Sequence, residues 1–152
     1  MKRGLVILSL AILVTLSAAA KDKPLKKSDL PAAVQKTADE QSKGATVRGY
    51  SSEEEGGKTF YEVELTVNGH SRDVLIAPEG SVAEIEEQVA IESLPAAVRE
   101  GLQKKAGAGT IKKVESLTKK DKLVAYEAIV VTNGKRSEIQ VGPDGKLLAH
   151  EE

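Results

Sequence analysis

Leu30-Pro31-Ala32-Ala33-Val34 returns letter for letter as Leu94-Pro95-Ala96-Ala97-Val98. The marks that follow come in the same order both times: Tyr61-Glu62 and Tyr126-Glu127, Asn68-Gly69 and Asn133-Gly134, Pro78-Glu79-Gly80 and Pro143-Asp144-Gly145. The first mark is offset by 64 positions (94 − 30) and the later ones by 65 (126 − 61), a gain of one residue. Self-similarity at a fixed spacing marks a folding unit used twice. Repeat one is assigned to residues 29–88 and repeat two to 89–152.

Each copy is expected to open with a helix. Asp29 and Ser93 precede the two Leu-Pro pairs, both types accept a backbone N–H at a helix start, and Pro is tolerated in the first turn. Leu30, Val34, Ala38 and Gln41 in one copy, and Leu94, Val98, Leu102 and Ala106 in the other, recur at helical spacing. Gly44 and Gly107-Ala108-Gly109 should end the two helices.

The period then shifts to two. First strands are expected over 46–52 and 110–117. In the second strands Tyr61, Val63, Leu65 and Val67, matched by Tyr126, Ala128, Val130 and Thr132, point inward. Asn68-Gly69 and Asn133-Gly134 read as two-residue hairpin turns. Third strands follow over 70–77 and 135–142, and shorter fourth strands over 81–86 and 146–151, with a helix over 81–90 as the competing reading. The expected fold class is α+β: two tandem repeats, each one helix plus a four-stranded antiparallel meander, with the helices on one face of the sheet.

At the N-terminus Met1-Lys2-Arg3 is basic, Leu5 to Leu16 is almost wholly apolar, and Ala18-Ala19-Ala20 offers a cleavage site, the pattern of a secretory signal peptide over residues 1–20. The apolar run, about 12 residues, is short of the roughly 20 that span a bilayer, so no stable membrane span is expected after cleavage. Residues 21–28, rich in lysine, read as a flexible basic linker. Without residues 1–20 the chain holds 20 basic against 23 acidic groups, a formal charge of −3. That balance gives no footprint for nucleic acid. With no Cys, packing alone must hold the fold.

The Leu-Pro-x-x-Val helix, the Tyr-Glu strand, the Asn-Gly hairpin and the closing Pro-x-Gly resemble the PepSY-like domain of exported bacterial proteins. That family is similar in fold to the secreted β-lactamase inhibitor protein, whose curved sheet grips an enzyme with its open face. The resemblance implies binding or inhibition in the cell envelope, periplasmic or secreted, and not catalysis. It carries over the fold only. The inhibitor is stapled by disulfides that this chain lacks, and no segment here matches its enzyme-contacting loops.

The residues agree with a non-enzyme. His70 and His150, the only two histidines, have no second His or Cys at ligand spacing, so neither a catalytic residue nor a metal ligand is assigned, and no cofactor is expected. Glu53-Glu54-Glu55 and Glu84, Glu86 and Glu87 leave open a divalent-cation or small-ligand sensor. The leading expectation is a protein partner held on the sheet face opposite the helices. On that face Phe60, Glu62, Glu64 and Thr66 of copy one become Ala125, Glu127, Ile129 and Val131 in copy two, a more apolar set. The candidate partner-binding residues are Tyr50, Phe60, Glu62, Glu64, Leu75, Glu127, Ile129, Val131, Arg136 and Glu138.

Overall fold

A computed structural model describes residues 23–150 and 152 of the chain. The expected signal peptide and its cleavage point lie outside the described residues. The elements in order are β1 (Lys23–Leu25), α1 (Ala32–Gln41), β2 (Thr46–Glu55), β3 (Lys58–Val67), β4 (His70–Ile76), β5 (Val82–Gln88), α2 (Ala96–Ala106), β6 (Thr110–Lys119), β7 (Lys122–Thr132) and β8 (Lys135–Val141). The eight strands form one sheet in chain order, every neighbour antiparallel.

This overturns the expected pair of helix-plus-four-strand repeats. β5 pairs directly with β6, from Glu84↔Lys119 to Gln88↔Glu115, so the halves share one continuous sheet. The halves are also unequal. Where a strand was expected over 146–151, the described residues 146–150 contribute only the bridge Val141↔Leu147. Val82, at the matching place in the first half, packs against the core there, whereas Leu147 is 66% exposed, so no apolar burial holds a strand in place. The eighth strand comes from the segment expected to be a mobile linker. Lys23–Leu25 pairs with Tyr50–Ser52, satisfying backbone groups at the edge of β2, and Leu25 packs against the first core cluster.

The helix starts need a second correction. Asp29 and Ser93 each end a short 3-10 turn, and the helices begin at Ala32 and Ala96 without a side-chain cap. Asp29 accepts the Lys26 backbone N–H at 2.9 Å, and the Ser93 hydroxyl donates to the Ala90 carbonyl at 2.7 Å. Proline at the helix entry removes a donor that has no intrahelical partner, which lessens the need for a cap.

Both helices lie on one face of the sheet. Leu30, Val34 and Ala38 pack with Val63, Leu65, Val74 and Ile76; Leu94, Val98 and Leu102 pack with Val114, Ala128, Val130, Ile139 and Val141. Apart from Gln41 and Thr132, the expected stripes and inward strand positions lie in the core, and the segment expected as a strand over 81–86 is β5 and not the competing helix. Asn68 and Asn133, at φ 51° and 52°, make the expected hairpin turns. Among the described residues no helix is long and apolar enough to cross a membrane.

Candidate functional site

The face opposite the helices is where the chain gathers its carboxylates. Alternation sends Glu62 and Glu64 of β3, Asp73 and Leu75 of β4, Glu84 and Glu86 of β5, Lys113, Glu115 and Leu117 of β6, Glu127 and Ile129 of β7, and Glu138 and Gln140 of β8 to this side. Register then sets them in rows. Glu64, Asp73, Glu86 and Leu117 are successive cross-strand partners, as are Glu62, Leu75, Glu84 and Lys119, and so are Gln88, Glu115, Glu127 and Gln140. At the β4–β5–β6 seam, carboxylate oxygens of Asp73, Glu86 and Glu115 all lie within 4.8 Å of one another. A hollow of about 290 Å³ lies over Glu62, Asp73, Leu75, Glu84, Glu86, Glu127 and Gln140. A second, of about 450 Å³, extends past Glu115 and Ile129 to Arg136 and Glu138.

Several of these acids are compensated. A bulge in β2 between Val47 and Gly49 frees Arg48 to reach across, 3.2 Å from Glu64 and 2.5 Å from Asp73. Glu115, 4% exposed, is held by Lys113 at 2.6 Å and by the Ser71 hydroxyl, which donates at 3.3 Å. Glu84 pairs with Lys119 at 3.1 Å. Glu127 accepts from the Gln140 amide at 2.9 Å, and Gln140 accepts the Glu152 backbone N–H at 2.8 Å.

Glu86 is different. Burial, then the charges of Glu127, Glu84 and Glu115, push its carboxyl up to about 9, so it keeps its proton at neutral pH. Glu127 is also raised, by burial first, against the Gln140 hydrogen bond. Asp73 is raised by burial despite the attraction of Arg48 and Lys113. Burial is the largest cause in all three, with the neighbouring carboxylates adding to it.

The register places Phe60, Glu62, Glu64, Leu75, Glu127, Ile129, Val131, Arg136 and Glu138 on this open face, as expected. Tyr50 is a correction. It pairs with Val63 and packs against the first core cluster, on the helix side. The bulge at Arg48 inserts one residue into the alternation and turns Tyr50 inward. Arg48 pairs with Glu64 and Asp73, and Glu62 accepts from the Ser51 hydroxyl at 2.8 Å. The apolar patch expected on copy two is smaller than its sequence suggests, since Ala125 is 0% exposed. Ile129 and Val131 are half-buried, and both histidines are exposed. Glu115 was missed altogether. Its alternation with Lys113 and Leu117 was readable, but its place beside Asp73 and Glu86 depends on the β5–β6 pairing, across the whole of α2.

No protein-family model matches the chain, and no curated protein matches it in sequence. Solved structures do match. A Bacteroides eggerthii protein assigned to the periplasm is 17% identical with a TM-score of 0.62, covering 78% of this chain and 86% of that one. A DUF2874 family protein from Bacteroides ovatus is 17% identical with a TM-score of 0.60, covering 78% and 84%. A BLIP-like protein from Bacteroides fragilis is 20% identical with a TM-score of 0.56, covering 80% and 85%. At such identities the likeness concerns the fold: the chain has a fold similar to that of the BLIP-like protein.

Proposed function

We propose that the chain is an exported, non-catalytic binding protein of the bacterial periplasm, PepSY-like, whose open sheet face receives a positively charged protein partner. The observation that carries this reading is the uncovered face itself. Burial together with the crowding of its neighbouring carboxylates holds Glu86 protonated, while Phe60, Leu75, Ile129 and Val131 beside them offer apolar area to bury. Lysine or arginine side chains of a partner would offset that crowding, and complementary charge steers and aligns an encounter. The basic start and apolar run of residues 1–16 support export, and so does the periplasmic assignment of the B. eggerthii neighbour. The BLIP-like fold makes inhibition or modulation of an envelope or secreted enzyme the form of binding to test first.

Capture from periplasmic extract at low salt tests this. The expected partner is released by salt and is held at least about tenfold more weakly by Glu62→Lys, a difference near 1.4 kcal/mol. The exposed helix-side variant Glu100→Lys retains it. Equal capture by both variants would remove the open face from the reading.

A second reading rests on the approach of Asp73, Glu86 and Glu115, a set of hard oxygen donors suited to a divalent cation such as calcium. Binding there must displace the Glu86 proton, so affinity should rise with pH. The expected result is a melting temperature that climbs with calcium as RT ln(1 + [L]/Kd), more steeply at pH 8 than at pH 6, and not in Glu115→Gln. A melting temperature indifferent to calcium at both pH values would exclude it.

A further inference from the structure

We propose that the outer edge of β8 is a strand-acceptor site whose occupant is β8 of a second copy of this chain, the two strands running antiparallel about Ser137. The idea is independent of the open-face reading, since it concerns the edge of the sheet and not its face.

The two halves of the chain point to it. β4, which matches β8 in sequence at the offset of 65 (135 − 70), is paired on both sides, with β3 on one and β5 on the other. β8 has β7 on one side. On the other, the bridge at Val141 is its only strand partner among the described residues, and Lys135 to Glu138 are exposed. The opposite edge of the sheet is guarded, since Lys23–Leu25, with Pro24 at its centre, lies along β2.

The backbone of β8 is aimed for the purpose. A two-residue turn makes Thr132 and Lys135 a hydrogen-bonded pair, so alternation turns the N–H and C=O groups of Arg136, Glu138 and Gln140 away from β7. The Gln140 carbonyl, which accepts from the Lys105 ammonium at 3.1 Å, agrees with that direction. The groups of Arg136 and Glu138 face outward for a strand to meet.

Charge selects the strand and its register. Antiparallel pairing about Ser137 puts Arg136 opposite the second copy's Glu138, and Glu138 opposite the second copy's Arg136. Opposite charges on directly opposed residues favour pairing. Sliding by two residues either way sets Arg136 against Arg136 or Glu138 against Glu138, so one register is preferred. Both side chains are well exposed, at 63% and 51%, and now meet each other within the strand at 2.7 Å. Each can exchange that contact for a cross-strand one. Charged edges ordinarily keep strands apart; here the order of charges is complementary to itself when reversed.

One strand pair is a small interface, so association should be weak and visible only at high concentration. The test is sedimentation velocity over a concentration series, on the protein expressed with its own leader and purified, with circular dichroism to verify folding. The wild type is expected to form a dimer as concentration rises. Arg136→Glu and Glu138→Arg should each stay monomeric, because each opposes like charges. An equimolar mixture of the two variants should associate again, since it restores opposite charges at both positions. A wild type that stays monomeric throughout, a single variant that dimerises as well as wild type, or a mixture that fails to associate would each overturn the proposal.

Discussion

Gly145→Ala is expected to lower the stability of the protein by about 3 to 4 kcal/mol, through overpacking and a left-handed backbone together. A Cβ at Gly145 would stand 2.1 Å from the Ala97 carbonyl oxygen, 2.4 Å from its carbon and 2.9 Å from the Val98 nitrogen, all backbone of α2. Neither side can give way. Val98 and Leu102 are 0% exposed in the second core cluster and hold the helix down. The turn is closed by the Gly142 N–H donating to the Lys146 carbonyl and the Gly145 N–H donating to the Gly142 carbonyl, both at 2.8 Å. The φ of +79° adds its own penalty for any L side chain.

Two other glycines calibrate the effect. At Gly80 the closest approach is 2.9 Å, to the Ala33 carbonyl oxygen, with φ +91°, so about 2 kcal/mol is expected. Gly44 has φ +77° and nothing within 4 Å, leaving only the conformational penalty of about 1 kcal/mol. Urea denaturation of the three alanine variants should rank them Gly145, Gly80, Gly44. A Gly145 variant no worse than that of Gly44 would show that turn and helix are not in backbone contact.

The second large effect is on the response to pH. With Glu86 raised from 4.5 to about 9, the folded state binds a proton that the unfolded state has released anywhere between those values. Stability must therefore fall as pH rises through that window, and hold its full value below it. For a single group the slope is about 1.4 kcal/mol per pH unit, so up to about 3 kcal/mol is lost between pH 4.5 and pH 7. Glu127 and Asp73 are shifted in the same direction and reinforce the trend. Glu86→Gln keeps the shape and removes the proton, so the variant should be more stable than wild type at pH 8, similar at pH 5, and flatter in between. Denaturation across pH 5 to 8 in the presence of chelator checks this. A wild-type stability that rises over the range would refute the raised Glu86 carboxyl.

Much of the fold was legible because it is written in local terms. Leu30, Val34 and Ala38, and Leu94, Val98 and Leu102, fall on one helical stripe whatever they pack against, and Val63, Leu65, Ala128 and Val130 alternate toward the core by the pleat alone. The Asn-Gly turns depend on two residues each. Nine of the ten candidate binding residues reached the open face for the same reason, and Tyr50 failed because one bulged residue at Arg48 reverses everything after it.

By itself, then, the sequence determined the two helices, the inward faces of the strands and the Asn-Gly hairpins, because each depends on residues a few positions apart. Tertiary structure alone decided that the halves fuse into one sheet through β5 and β6, that Lys23–Leu25 becomes a strand, and that residues 146–150 do not. Those outcomes turn on whether a free strand edge meets a segment with apolar area to bury, which no local pattern records. The same long-range pairing brings Glu115 beside Asp73 and Glu86 and creates the acidic seam, because charges far apart in the chain repel only once the sheet has set them side by side.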